Sequence, residues 1–279
     1  MKRTAAFSCI LIGLALLLLS VGGCAEPPFD GLTLEILDVG QSDCTLITTR
    51  EAVLMIDSGT VSERHTVQAA LDARDIERID LLVLTHPHED HIGNARMLLE
   101  TYTVGVLILP ATPTDDPGYR LVCESAERCG VPVAVAASGD VWSLGGVQLT
   151  VLSAEGVGED LNNGSLVLRL TFGKTRFLFT GDNEREREQI LVESLSADEL
   201  RCDFLKVGHH GSANSTSAEL LEAVAPKHAA ISCGKENSYG FPAREVLERL
   251  REYGVVWHRT DTEGNLCYRS DGQRIWLEK

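Results

Sequence analysis

Three histidines and one aspartate fall within six consecutive residues, directly after an apolar run that predicts a buried strand. The run is Leu81–Leu84, and the polar side chains that follow it are His86, His88, Asp90 and His91. Imidazole and carboxylate groups are ligands of Zn²⁺ and related ions. A single histidine would indicate a solvated loop, but so many polar groups beside a buried strand are costly unless something binds them. The segment therefore predicts a metal site at the end of this strand.

The elements that must position this segment follow from the hydrophobic pattern. Short runs rich in Val, Ile and Leu predict strands at Leu32–Leu37, Cys44–Thr48, Val53–Ile56, Leu81–Leu84, Val104–Leu109, Val147–Leu152, Leu166–Leu170, Arg176–Phe179, Phe204–Val207 and Ala229–Ser232. Helical patterns lie between them at Arg64–Arg74, Gly93–Glu100, Gly118–Cys129, Glu184–Ser194, Thr216–Val224 and Ala243–Tyr253. This order indicates layered sheets covered by helices, an α/β (α+β) fold. Asp271-Gly272 predicts a closing hairpin, and residues 31–279 contain no linker, so we expect one domain.

The order His-x-His-x-Asp-His at residues 86–91 resembles the signature of the metallo-β-lactamase fold. Further motifs occur in the order found in the soluble hydrolase domain of the ComEC-like competence proteins. They lie at residues 37–43, 55–59, 162–168, 179–182, 205–212, 215–217 and 237–240. The resemblance implies a four-layer αββα sandwich with the site at one edge, between the two sheets.

The resemblance also implies two divalent metal ions. It assigns His86 and His88 to the first ion, Asp90 and His91 to the second, and Asp182 to both as a bridge. Zn²⁺ is the expected ion, and Mn²⁺ is the alternative. Such ions activate water and stabilise charge on an attacked phosphoryl oxygen.

Either His209 or His210 matches the last ligand of the second ion, and the interpretation favours His209. His210 is then expected to donate a proton or to contact a phosphate. The expected catalytic group is therefore Asp90, Asp182 and His210. Asp57 matches an acidic residue that orients the metal-binding loop, although an aspartate before Ser-Gly is also a common turn former.

The sequence departs from the family pattern at two places. No histidine lies between His91 and Asp182, where metallo-β-lactamases supply a third ligand of the first ion. The first ion is therefore expected to bind more weakly or to hold extra water, and penicillin hydrolysis is not expected. The ComEC-like pattern Tyr-Gly-His-Pro here reads Tyr-Gly-Phe-Pro at residues 239–242, so the role of that histidine does not transfer.

Polar side chains in the loops are expected to contact substrate oxygens. The candidates are Asn163, Ser165, Ser212 and Ser215, accompanied by Asn162, Asn214 and Ser217. Capping of the loops by these same side chains is the alternative. Lys174 and Lys206 are single positive charges beside strands, and both are expected to be solvated.

The charge balance limits the class of substrate. The chain has 25 Lys and Arg residues against 41 Asp and Glu residues, which gives a formal net charge of −16. A broad basic surface for nucleic acid is therefore excluded, because binding to many phosphates rests on Lys and Arg. We expect a phosphodiesterase or nuclease acting on DNA or on a small phosphodiester, with no stable protein partner. The alternatives are hydrolysis of a lactone or thioester, and a non-catalytic accessory lipoprotein of a DNA-uptake or envelope complex.

The N-terminal segment is typical of an export signal. A short basic start precedes an apolar run, and residues 21–24, Val-Gly-Gly-Cys, resemble a bacterial lipobox. We expect residues 1–23 to be a lipoprotein-type signal peptide, Cys24 to be lipidated and residues 24–30 to form a tether. The protein would then lie outside the cytoplasm, held on the lipid bilayer through Cys24. A transmembrane anchor is the alternative, because the apolar run is near the lower length limit for a span.

Six cysteines remain besides Cys9 in the signal and Cys24. None has the CxxC spacing of metal ligands. Cys123 and Cys129 fall on different faces of one predicted helix, so they should not bridge each other. The cysteines are expected to be mainly structural, and a disulfide is left open.

Overall fold

The computed structural model describes residues 29–111, 115–156 and 160–278. Its strands in chain order are β1 (Leu32–Ile36), β2 (Thr45–Thr48), β3 (Val53–Ile56), β4 (Arg78–Val83), β5 (Thr103–Leu109), β6 (Val133–Val135), β7 (Val141–Leu144), β8 (Val147–Ser153), β9 (Val167–Phe172), β10 (Thr175–Phe179), β11 (Phe204–Lys206), β12 (His228–Ile231), β13 (Val256–Arg259), β14 (Leu266–Ser270) and β15 (Ile275–Leu277). The α-helices are α1 (Arg64–Asp72), α2 (Glu89–Ile92), α3 (Ala95–Thr101), α4 (Pro117–Cys129), α5 (Arg185–Ser194), α6 (Ala197–Leu200), α7 (Ala218–Val224), α8 (Arg244–Glu252) and α9 (Thr260–Glu263).

The strands form two sheets, and each has a parallel part. The first sheet has the order β15-β14-β1-β2-β3-β4-β5-β6, and β3 to β6 run parallel. The second has the order β13-β12-β11-β10-β9-β8-β7, and β13 to β10 run parallel. The loops after β4 and before β9 meet, because the backbone N–H of Leu166 donates to the carbonyl of Thr85 at 2.9 Å. The parallel strands of both sheets therefore have their carboxyl ends at one edge of the molecule. Sites of α/β sheets usually form at such ends.

Three apolar clusters define the layers. One lies between the two sheets and includes Leu34 of β1 and Phe177 of β10. A second packs the first sheet against helices through residues such as Leu71 of α1 and Leu98 of α3. A third packs the second sheet against its helices and includes Leu221 of α7. Each fully buried leucine contributes on the order of 1.5–3 kcal/mol to this packing. The result is the expected αββα sandwich.

The sequence pattern located the buried strands but missed strands at the sheet edges. All ten predicted strands are present, with each end within three residues of its predicted position, and the closing hairpin pairs β14 with β15. β6, β7 and β13 were not predicted. In β6 the side chains of Val133 and Val135 are exposed, so this edge strand carries no run of buried residues. The short helix α2 was also missed, because it lies inside the metal-binding motif.

The cysteines of the described residues are free thiols, and Cys123 and Cys129 both lie on α4. Within the described ranges, no helix combines the length and the apolar character needed to span a bilayer. The predicted signal peptide and Cys24 fall within residues 1–28, outside the described residues.

Candidate metal centre

The histidine-rich segment leaves β4 and turns at once into α2. His88 stands at the N-cap of α2 with extended backbone angles, and His91 lies in its last turn. Two backbone hydrogen bonds hold this turn: Ser58 N–H donates to His91 O at 2.7 Å, and Asp43 N–H donates to Asp90 O at 3.1 Å. The ligand segment is therefore fixed by loops that follow other strands of the same sheet.

Four of the predicted site residues meet at one point. Asp90, His91, Asp182 and His210 each offer one ligand atom, and these atoms lie within 4.8 Å of one another. Asp182 Oδ2 lies 3.4 Å from His91 Nε2 and 3.7 Å from His210 Nε2. His210 Nε2 also lies 3.3 Å from Asp90 Oδ2. Two imidazoles and two carboxylates make a donor set suited to a divalent cation.

Carboxylates behind the rings hold His91 and His210 in place. His91 Nδ1 lies 2.8 Å from Asp57 Oδ2, and His210 Nδ1 lies 3.0 Å from Ser232 O and 3.3 Å from Asp43 Oδ1. Both rings therefore present Nε2 to the common point. A carboxylate or carbonyl on the other ring nitrogen is the usual support of a histidine that binds metal.

Two buried atoms at this point indicate whether the site fits a metal ion. His91 Nε2 and Asp182 Oδ1 are buried and have no hydrogen-bond partner among the described residues. Buried polar atoms rarely remain without partners, so an imidazole nitrogen and a carboxylate oxygen left unpaired in the same cluster need a ligand. A divalent cation satisfies both atoms, and the residues present fit it.

Two further histidines of the predicted site, His86 and His209, also lie near the Asp182 carboxylate. Asp182 Oδ2 lies 3.9 Å from His86 Nε2 and 3.7 Å from His209 Nε2. His86 Nε2 also lies 3.0 Å from His88 Nδ1. Asp182 Oδ2 thus has ring nitrogens of four histidines, His86, His91, His209 and His210, within 3.9 Å. The sequence favoured His209 as the last ligand, whereas the four-residue group contains His210.

The protonation of these groups follows from burial and charge. Burial lowers the pKa of His86 well below its usual value, and the neighbouring His91 adds to the effect. Burial also opposes the charged form of His210, but the carboxylates of Asp182 and Asp43 raise its pKa to about 10. The pKa of His91 is also raised, since the carboxylates of Asp182 and Asp57 outweigh the effect of burial. In the absence of an ion, protons on His91 and His210 balance the carboxylates, while His86 stays neutral.

Asp57 links two parts of the centre. Its carboxylate accepts hydrogen bonds from the Thr85 N–H at 2.7 Å and the Thr85 hydroxyl at 2.8 Å, as well as contacting His91 Nδ1. Asp57 itself has a left-handed backbone, with φ of 60°. These contacts favour the orienting role over that of a simple turn former.

The expectation that Lys206 is solvated is wrong. Its side chain is buried, and Nζ donates to Asp43 Oδ2 at 2.7 Å and to Val207 O at 3.1 Å. Burial opposes ionisation of Asp43, yet Lys206 and His210 hold the pKa of that carboxyl below its usual range. The position of Lys206 between Leu205 and Val207, inside an apolar strand, was the signal in the sequence. Lys174 is exposed, as expected.

The predicted substrate-binding side chains are engaged within the loops. Ser165 Oγ accepts from Asp182 N–H at 3.0 Å, and Asn163 Oδ1 accepts from Glu184 N–H at 2.9 Å. Ser215 Oγ donates to Asn183 O at 2.9 Å, and Ser212 Oγ accepts from Asn214 N–H at 3.3 Å. Ser165 thus positions the bridging carboxylate through its backbone. These four side chains support the site from behind rather than line its opening.

A cavity of about 650 Å³ opens onto the centre. Its lining comprises Val39, Gly40, Gln41, Thr60, Ser62, Glu63, His88, Glu89, Asp90, Asn162, Asp182, His209, His210, Tyr239 and Phe241. The sequence did not single out Gln41, Tyr239 or Phe241 as site residues, although each lies in a motif that it identified. The described lining includes four carboxylates and neither lysine nor arginine.

Comparison with known proteins agrees with this geometry. The sequence profile of the Metallo-beta-lactamase superfamily matches residues 37–235, which span the ligand residues of the centre. The chain belongs to the metallo-β-lactamase superfamily. In this fold the cluster of His and Asp residues is suited to holding metal ions.

Curated relatives place the chain near competence proteins. It is 34% identical over 254 residues to ComE operon protein 3 of Bacillus subtilis, covering 84% of this chain and 32% of that protein. It is 32% identical over 251 residues to Recombination protein 2 of Haemophilus influenzae, covering 88% and 30%. Competence protein ComA of Neisseria gonorrhoeae is 31% identical over 243 residues, covering 86% and 33%. The chain thus spans about a third of the length of these relatives.

Solved structures share the fold at low sequence identity. The metallo-beta-lactamase fold protein YhfI of Bacillus subtilis aligns with a TM-score of 0.59 at 10% identity, covering 89% of this chain and 100% of that one. CmlA, a diiron beta-hydroxylase from Streptomyces venezuelae, aligns with a TM-score of 0.58 at 17% identity, covering 91% and 55%. At these identities the comparison supports the fold alone.

Proposed function

We propose that this protein is a metal-dependent phosphodiesterase that holds two divalent ions, with Zn²⁺ expected and Mn²⁺ the alternative. The observation that carries the proposal is the arrangement around Asp182, whose Oδ2 lies within 3.9 Å of a ring nitrogen of His86, His91 and His210. A carboxylate in that position can bridge two ions. When bound, such ions supply Lewis-acid activation of water and of a phosphoryl oxygen.

The residues of the chain divide into two ligand sets that share Asp182. Asp90, His91 and His210 complete one set, and His86 and His88 belong to the other. We assign the ligand role to His210 rather than His209, because His210 Nε2 lies 3.3 Å from Asp90 Oδ2 and its Nδ1 is held from behind.

His209 is then free to act on the substrate. It lines the cavity and is partly exposed, and its Nδ1 lies 3.1 Å from Glu184 Oε1. An imidazole that lines the cavity beside the centre is placed to act as a general acid toward the substrate. In the proposed reaction water attacks phosphorus and loses a proton to solvent, and the P–O bond to the leaving group breaks. His209 gives a proton to the departing oxygen and regains one from solvent.

Hydrolysis of an uncharged ester, such as a lactone or thioester, is the second candidate. The observation that favours it is the absence of lysine and arginine from the described cavity lining. A phosphodiester must therefore be held by the ions themselves, whereas an uncharged substrate needs no cation from the protein.

We also propose that the protein is an exported lipoprotein, anchored on the bilayer through Cys24. The basic start, the apolar run and the Val-Gly-Gly-Cys sequence at residues 21–24 support this proposal. In this position the hydrolase would act on substrates outside the cytoplasm.

Turnover by the purified full-length protein in detergent tests the activity. After loading with Zn²⁺ or Mn²⁺, it is incubated with bis-p-nitrophenyl phosphate, single-stranded DNA and a panel of lactones. We expect phosphodiester cleavage that a chelator abolishes and added metal restores. Cleavage of lactones alone would favour the second candidate, and no turnover of any substrate by the metal-loaded protein would contradict the enzymatic proposal.

A further inference from the structure

A stacked pair of aromatic side chains lines the cavity beside the centre. The rings of Tyr239 and Phe241 have centroids 5.5 Å apart and an interplanar angle of 23°. Phe241 in turn meets the ring of His209 edge-on, with centroids 5.7 Å apart. Tyr239 is 69% exposed although it is a large aromatic residue, so much of its ring surface faces solvent. Because the two rings stack, the solvent-facing aromatic surface of the pair is mainly the ring of Tyr239, and Phe241 connects it to His209.

Hydrogen bonds fix the loop that carries this pair. Asn237 Oδ1 accepts from Phe241 N–H at 3.0 Å and from Tyr239 N–H at 3.2 Å, while Asn237 Nδ2 donates to Gly234 O at 2.9 Å. Gly234 N–H donates to Gln41 Oε1 at 2.9 Å, which ties the loop to the opposite wall of the cavity. Because the loop is held before any ligand binds, stacking on it costs little additional ordering.

The charges of the cavity exclude binding through many phosphates. With Asp90 and Asp182 occupied by the ions of the proposed function, Glu63 and Glu89 remain as carboxylates of the lining, and no described lysine or arginine of the lining offsets them. Ions at the centre can hold one phosphodiester, but flanking phosphates would meet carboxylates. Affinity for the rest of the substrate must therefore come from uncharged surface, and the exposed aromatic pair supplies it.

We propose that Tyr239 and Phe241 form a stacking subsite for the nucleobase next to the scissile phosphodiester. This inference rests on the proposed phosphodiesterase function and narrows its substrate to short or terminal nucleotide units. Stacking of a base on an aromatic side chain changes binding by about tenfold or more. It accepts any base, because every base has a π-face.

The test compares a thymidine dinucleotide with a dinucleotide of the same phosphodiester that carries abasic tetrahydrofuran sugars. For the metal-loaded wild type we expect kcat/KM to be at least about tenfold higher for the thymidine substrate. In Tyr239→Leu, which keeps an apolar side chain but removes the ring, the ratio should fall to within about twofold of one. Tyr253→Leu is the matched control, because Tyr253 is an exposed tyrosine outside the cavity lining, and its ratio should match the wild type.

A binding measurement separates this inference from the proposed function. 2-Aminopurine riboside 5′-monophosphate should lose fluorescence on binding to the wild type and to Tyr253→Leu, but not to Tyr239→Leu. If quenching and the Tyr239 dependence are absent, the subsite is wrong even where both dinucleotides are cleaved. If quenching is present but neither dinucleotide is cleaved, the subsite stands and the phosphodiesterase proposal fails. An unchanged substrate ratio in Tyr239→Leu would also overturn the subsite.

Discussion

Asp182 is the residue on which the centre depends. Its two oxygens differ in their surroundings: Oδ2 lies near several imidazole nitrogens, while Oδ1 is buried without a hydrogen-bond partner in the described residues. The backbone N–H of Asp182 donates to Ser165 Oγ, which fixes the side chain from behind. A carboxylate held in this way can contact two cations without moving.

Replacing this carboxylate tests the bridge. Asp182→Asn keeps the shape but removes the charge, so two dications would face too little negative ligand. We expect loss of at least one metal ion per chain and of most activity, with the fold retained because the site lies at the edge of the sandwich. Metal analysis and circular dichroism measure both effects. His65→Ala, at an exposed position outside the motifs, should change neither, and full metal content in Asp182→Asn would show the bridge to be wrong.

Proton release on metal binding follows from the pKa of His210. Without an ion this pKa lies at about 10, because Asp182 and Asp43 outweigh the effect of burial. At pH 7 the ring is therefore protonated, and it must lose its proton to bind an ion. We expect Zn²⁺ affinity to fall as the pH is lowered. Calorimetric titrations at pH 7 should give different heats in phosphate and Tris, and equal heats would contradict the displacement of protons.

The buried pair of Lys206 and Asp43 should contribute to stability. Lys206→Met leaves the Asp43 carboxylate without its nearest cation, and breaking a buried pair costs about 3–5 kcal/mol of unfolding free energy. Adding Asp43→Asn to this variant should recover part of the loss, because the carboxylate charge that lost its lysine partner is then removed as well. Urea unfolding of the single and double variants measures both values. Lys174→Met, at an exposed lysine, is the control and should change the free energy by less than about 0.5 kcal/mol.

At the scale of elements, α2 brings Asp90 and His91 to the centre. It is a single turn, Glu89–Ile92, too short to be stable by itself. Its position depends on packing at its C-terminal end, where Gly93 approaches neighbouring backbone. A Cβ on Gly93 would lie 2.6 Å from Val61 N and 2.7 Å from both Glu89 O and Gly59 O.

A methyl group at this glycine should therefore displace the ligand turn. In Gly93→Ala we expect weaker metal binding and a loss of roughly 1–3 kcal/mol in unfolding free energy. Gly130→Ala is a useful comparison, since a Cβ there meets nothing within 4 Å and only the left-handed backbone, with φ of 67°, is strained. That variant should lose about 1 kcal/mol and keep its metal affinity. Equal metal affinity in Gly93→Ala and the wild type would mean that the turn tolerates displacement.

At the scale of the whole molecule, the acidic balance and the position of the centre at one edge suit the proposed hydrolysis of small substrates. With a formal net charge of −16, the protein repels long polyanions at a distance. With the proposed anchor on a bilayer at its N-terminus, the protein would act on substrates that reach it by diffusion.

The proposed anchoring depends on a single side chain. Cys24→Ala should leave the precursor without lipid, because the thiol that accepts the lipid is missing. Radiolabelled palmitate should then enter the wild type but not the variant when both are expressed in the same bacterial host. Label that persists in Cys24→Ala would exclude lipidation at this residue.

The sequence by itself predicted the fold and most of the candidate ligand residues. Buried strands show as apolar runs, and His86, His88, Asp90 and His91 lie within six residues, so chain connectivity alone brings them together. Both features are local, and local features can be identified from spacing and residue type.

Only the tertiary structure decided which distant groups complete the centre. His209 and His210 are adjacent and both have left-handed backbones, with φ of 47° and 52°, so their rings point in different directions that spacing cannot predict. His210 joins the ligand group because Ser232 and Asp43, from other loops, hold its Nδ1. The contact that pairs the buried Lys206 also depends on tertiary structure, because its partner Asp43 lies 163 positions away in the chain. Such contacts depend on how the two sheets pack against each other, and that packing brings together residues with no local relation in the sequence.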